Sequence, residues 1–218
     1  MRLGQVLAIM VVTAAGADTQ SAASEWFPAH PGDRWIYEFT TRDDNGRGRA
    51  HLDVHSWKTE ETTSGTWDIP EGLLVARQVR VIEGAPRAGW RVDPNPAYLV
   101  RGDCLYAGFG VGWDPETHRL TEEFRKELLA GQIAPDFCFP LSPRKQWGAL
   151  DSRPDSKVKG AKGDTFHITN ISSYPGSGMD VDVWFEKGVG IVREDEIHNG
   201  TIGEIHVRLV RFEPASQR

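Results

Sequence analysis

The chain has 218 residues, with 31 acidic and 25 basic side chains and a formal charge of −6. An acidic chain without a basic stripe argues against nucleic acid and anionic membranes as partners. The length suits one larger β domain, or two small ones, and is enough to bury a substantial core.

Residues 1–17 read as a secretory signal: Arg2 is a minimal basic start, Val6 to Val12 a short apolar run, and Ala15-Gly-Ala17 a small-x-small cleavage pattern. A second cut is possible after Ala23. The apolar run is too short to span a bilayer, and no other segment could, so no transmembrane segment is expected after signal removal. With no cysteine at the cleavage site, a lipid anchor is not expected. Residues 18–25 are expected to be a disordered leader, and 26–214 a single domain. Export, periplasmic or extracellular, would put Cys104 and Cys138 in an oxidising compartment, where a bridge is expected. Two buried thiols are the alternative.

Strand patterns follow. Trp35, Tyr37 and Phe39 alternate on one face, and Asn45-Gly46 marks a turn. The return strand, 49–58, is expected to face Leu52 and Val54 inward. Further strands are expected at 67–69, 73–82, 98–100 and 104–106. One helix is predicted over 121–130, with Thr121 as N-cap, Leu120, Phe124 and Leu128 on one stripe, and Gly131 ending it. Residues 151–163 are polar and read as loop, and 165–171 as a strand.

The closing stretch, Val181 to Arg193, reads as a hairpin turning at Gly188 and Gly190. A straight register puts Val181, Val183, Phe185, Ile191 and Ile197 on the core face. It puts Asp180, Asp182, Glu194 and Glu196 together on the other. Asn199-Gly200 begins another hairpin, and Ile205, Val207 and Leu209 would reach the core only through a longer loop or a bulge near Gly203. Sequential strands with short turns predict a mainly β fold, a curved antiparallel meander or half-barrel with one main helix packed against it.

Phe27-Pro-x-x-Pro-x-x-x-Trp35 recurs without gaps at Phe139 to Trp147. These two strand entries, with the Trp184-Phe-x-x-Gly-Val-Gly hairpin, resemble a group of uncharacterised bacterial exported β-rich proteins. The group is similar in outline to periplasmic lipoprotein carriers, whose curved sheet surrounds an apolar hollow. The resemblance implies a fold and no catalytic residues.

Three sets of side chains are candidate sites. His51, Asp53 and His55 share one strand face and offer two imidazoles and a carboxylate to a metal. Asp180, Asp182, Glu194 and Glu196 would repel one another unless calcium or arginine offset them. Trp26, Trp90 and Trp113 lie near loops and could line a ligand groove. No catalytic motif or cofactor fingerprint is present, and none of the serines sits in a nucleophile turn. The reading is an exported, non-enzymatic binding or carrier module for a small apolar ligand. The alternatives are an envelope interaction protein and a metal-dependent hydrolase using the histidine set.

Overall fold

The computed structural model describes residues 22–44, 52–86, 92–107, 111–148, 156–172, 179–198 and 203–215. In chain order these form α1 (Ala22–Trp26), β1 (Arg34–Asp44), β2 (Leu52–Ile69), β3 (Gly72–Gly84), β4 (Ala97–Arg101), β5 (Cys104–Tyr106), β6 (Trp113–Asp114), β7 (Arg119–Leu120) and α2 (Glu122–Leu129). There follow β8 (Phe137–Cys138), β9 (Gln146–Trp147), β10 (Ser156–Lys162), β11 (Thr165–Ser172), β12 (Met179–Glu186), β13 (Gly190–His198) and β14 (Gly203–Glu213).

A 12-stranded antiparallel sheet runs in the order β8-β5-β4-β3-β2-β1-β14-β13-β12-β11-β10-β9, and β6 pairs with β7 apart from it. The first and last strands meet at its centre. Its edge strands, β8 and β9, follow each other in sequence and are joined by residues 139–145 alone. So short a tether holds the two edges close, and the sheet curls into a nearly closed barrel. The Trp147 indole Nε1 reaches across the seam to the Asp136 carbonyl at 2.8 Å.

Unpaired residues at Ser64, Ile82, Lys159, Val192 and Val210 interrupt the ladders. Each is a bulge that sharpens the bend and switches the side-chain alternation on its strand. The interior is filled by Val75, Val100, Leu105, Phe139, Trp147, Val158, Ile168, Val183 and Phe185, with Trp26 and Phe27 packed among them. A second cluster lies on the outer face, where α2 and the β6–β7 hairpin lay Leu120 and Leu128 on Leu74, Ala97 and Leu99. Trp67 reaches this outer cluster because the Ser64 bulge turns it away from the interior.

The predicted helix is α2, with the Thr121 hydroxyl accepting the Phe124 N–H at 3.4 Å. Several expectations need correction. The end of the expected leader is α1: Ala23 is fully buried there, and the Gly188 N–H donates to the Glu25 carbonyl at 2.7 Å. Residues 1–21 lie outside the described residues. The expected 151–163 loop contains β10, whose Ser156 and Val158 face inward between lysines. The strands expected at 49–58 and 67–69 are one strand, β2, which the Ser64 bulge carries past its change of face. On it Val54 is 58% exposed, because Phe39 pairs with Trp57, and this puts Trp57, not Val54, inside. The connection before β14 is longer than two residues, as expected, but His198 still pairs directly with Gly203, and it is the bulge at Val192 that brings Ile205 and Val207 to the inner face.

Cys104 and Cys138 are bonded, pinning β5 to β8 across a sequence separation of 34. Loop-closure entropy gives the bridge about 3–4 kcal/mol. Converting both cysteines to alanine is expected to lower the unfolding free energy in urea by that amount. A loss below about 1 kcal/mol would show that the bridge constrains little.

Candidate functional site

The interior is not uniformly apolar. Arg77 on β3 is only 6% exposed, yet its alternation with Val75 and Val79 points it inside. Its guanidinium lies over the rings of Trp35, Phe27 and Tyr98, with its carbon 4.0, 4.7 and 4.9 Å from their centroids. Nη1 pairs with the Glu61 carboxylate of β2 at 3.1 Å. Burial works against this charge, but Tyr98 and Glu61 outweigh burial and raise the Arg77 pKa, so it stays protonated. Its Nε has no hydrogen-bond partner among the described residues.

Facing Arg77 is a second polar group that the Val192 bulge delivers. Phe185 pairs with Ile191 and Trp184 with Arg193, so Val192 is skipped. Beyond it Glu194 lies beside Val183 and Val207, and Glu196 beside Val181 and Ile205, all on the inner face. Burial raises Glu194 from 4.5 to about 8, and repulsion by Glu196, together with a hydrogen bond between the two carboxyls, adds to the rise. At neutral pH Glu194 therefore keeps its proton, which it donates to the Glu196 carboxyl. The Tyr37 phenol, raised by burial and therefore neutral, donates to the Ile191 carbonyl at 3.0 Å.

Tyr37, Glu61, Arg77 and Glu194 line a cavity of about 130 Å³, with Phe27, Phe39, Tyr98 and Ala107 among its walls. That is the volume of about four water molecules, well under the roughly 300–1,000 Å³ of a drug-sized pocket. A larger cleft of about 580 Å³ lies outside, between the β2–β3 turn and α2, with Trp67 stacked on His118 at 4.1 Å. Of its two arginines, Arg119 and Arg125, the second is already committed, spanning from α2 to Glu71 at 2.6 Å. That cleft reads as the docking seam of the helix. Of the two, the inner cavity has a buried cation and a protonated carboxyl in its wall, and it is the candidate site.

The four acidic candidates fall on opposite faces. Asp182 opposes Asp195 on the outer face, where it takes His167 Nε2 at 2.8 Å and Lys159 Nζ at 3.2 Å. Asp180 lies on the same outer side, while Glu194 and Glu196 are inside. The bulge at Val192 therefore separates the proposed calcium ligands. Asp53 and His55 do share the inner side of β2, opposite Asp43 and Thr41, near the strand end. His51 lies outside the described residues. Among the described residues, no group of three or more His, Cys, Asp or Glu side chains is arranged to hold a metal ion. Trp26 packs edge-on against Phe166 inside, Trp113 packs beside Trp67 outside, and Trp90 lies outside the described residues. Trp26 and Trp113 thus form no common groove. Trp184 lies on the outer face between His167 and Arg193.

Glu61 and Arg77 did not emerge from the sequence as site residues, although their signal is present. Each is a charged residue on an apolar period-two face, Arg77 between Val75 and Val79, and Glu61 after Trp57 and Thr59.

No protein-family model matches the chain, and no curated protein matches it significantly. Two solved structures are similar over most of its length. One, from Bacteroides fragilis, is provisionally described as an exported protein with a YmcC-like fold: 12% identity over 87% of this chain and 99% of that one, TM-score 0.43. The other, a provisionally described lipoprotein from Parabacteroides distasonis, shows 10% identity over 86% and 97%, TM-score 0.41. Likeness at this level does not bear on what the chain binds.

Two outcomes are expected for the polar interior. Arg77→Ala strands the Glu61 charge and should cost about 3–5 kcal/mol. Arg77→Met with Glu61→Gln should restore most of that loss in urea denaturation. A double variant no more stable than the single one would contradict the pairing.

The second outcome concerns pH. Free in the unfolded chain, Glu194 titrates near 4.5, and in the folded state at about 8. Between those values the folded state keeps a proton that the unfolded state has lost. Its contribution is fully present below pH 4.5 and is lost as pH rises through 8, on the order of a few kcal/mol. Glu194→Gln should flatten this slope. An unchanged slope would place the raised group elsewhere.

Proposed function

We infer that the protein is an exported binding module that holds a small ligand in the cavity on the inner face of its curled sheet. The signal-like start, Met1 to Ala17, supports export, as does the bonded cysteine pair. The observation that carries the binding reading is the cavity wall itself, where a buried arginine with an unpartnered Nε and the protonated Glu194 carboxyl, backed by Glu196, meet aromatic rings. A filled structural core would avoid such groups, because buried polar atoms without partners are costly.

The ligand differs from the one expected of an apolar hollow. About 130 Å³ does not admit an acyl chain, and the charged wall calls for a ligand with at least one polar end. Aromatic walls supply most of the contact area, and Arg77 and Glu194 supply orientation.

The test is a fragment titration followed by two-dimensional NMR. Ligands of four to six heavy atoms, about what the space allows, are expected to move the signals of Tyr37, Arg77, Tyr98 and Glu194 together. Ala107→Leu, which fills the cavity, should abolish those shifts while the fold persists. Fragments that perturb only the outer surface, or that bind the Ala107→Leu variant equally, would contradict the reading.

A further inference from the structure

The charge inside the cavity does not balance, and the imbalance points to the ligand's own charge; this rests on the binding reading above. Glu61 is matched by Arg77 at 3.1 Å. Glu194 and Glu196 have each other, and among the described residues no Lys, Arg or His side chain contacts either carboxyl. The groups facing Glu194 can be named strand by strand. On β13 there is Glu196; on β12 and β14 there are only apolar side chains, Val181, Val183, Ile205 and Val207. Across the cavity stand Tyr37 of β1, Glu61 of β2, Arg77 of β3 and Tyr98 of β4, with Asp136 before β8 adding negative charge. Arg77 is the sole cation among these, and Glu61 holds it.

The remaining wall suits a cation. Tyr37 and Phe39 line the space beside Phe27 and Tyr98, whose rings already face Arg77, and aromatic faces attract ammonium groups. The same wall carries a donor without a partner: Arg77, 6% exposed, whose Nε could meet an oxygen on the same molecule. On the outer face the analogous carboxylate shows what a settled acid looks like. Asp195 accepts from His206 at 2.8 Å, Arg193 at 2.8 Å and Arg208 at 2.7 Å. Burial pushes Asp195 up, but these bonds outweigh it and hold it below the usual carboxylate range. The protein thus has cations to spend on Asp195 and gives none to Glu194.

We propose that the ligand is a small primary amine, bound as its ammonium form against the Glu194–Glu196 pair and the surrounding aromatic rings. Binding displaces the shared proton: the N–H donors of the ammonium replace the O–H donor, and the proton leaves to solvent.

The experiment is an NMR titration of the intact protein with four probes of one chain length: propylamine, 3-amino-1-propanol, 1-propanol and propionate. Both amines are expected to bind at least tenfold more tightly than the alcohol and the acid. Their affinity should rise with pH between about 6 and 8, by up to tenfold per unit, because the site must lose a proton while the amines, like a lysine, stay charged. The amino alcohol should bind more tightly than propylamine through Arg77. Glu194→Gln should remove both the preference and the pH dependence. If 1-propanol or propionate binds as tightly as the amines, the cationic ligand is overturned and the cavity reading stands. If no probe moves the cavity signals, both are overturned.

Discussion

A desolvated guanidinium at the centre of the barrel constrains everything around it. Arg77 cannot be buried without a counter-charge and soft, polarisable walls, so Glu61 and three rings must be where they are. Phe27 follows α1, Trp35 lies on β1, Glu61 on β2 and Tyr98 on β4. Satisfying one cation therefore fixes the angle at which α1 enters and the register of neighbouring strands. Trp35 continues the chain of constraint through its Nε1, which donates to the Val189 carbonyl at 2.7 Å and ties β1 to the β12–β13 turn.

The bulges do the rest. A curled sheet needs strand breaks to bend, and each break exchanges inward and outward positions beyond it. At Val192 the exchange turns Glu194 and Glu196 inward and leaves Ile197 41% exposed, opposite to what hydrophobicity alone prefers. Burying two carboxyls while exposing an isoleucine costs stability. Such local costs are characteristic of binding sites, where the groups that meet a ligand are the ones left unsatisfied without it.

Much of the fold was legible because it rests on local signals. Alternation announced β1, β3 and β12, and the Thr121 cap with the 120/124/128 stripe announced α2. The site was not legible, for two reasons. The bulges have no reliable local signature: Ser64 and Val192 look like ordinary strand residues, and a one-residue error in register moved Glu194 to the wrong face. β10 was missed because a strand with one buried apolar side chain, Val158, carries almost no periodicity. Arg77 and Glu61 did break the apolar pattern of their strands, yet only the three-dimensional pairing of β2 with β3 shows that each one answers the other.

The polar wall of the cavity depends on which way Glu194 points. A side-chain NOESY spectrum on labelled protein measures this directly. The bulged register predicts contacts from the Glu194 methylenes to the Val207 methyls and the Tyr37 ring, both inside the barrel. Contacts to Asp182 or the His167 ring would put Glu194 on the outer face. They would contradict the register, and with it the cavity's polar wall.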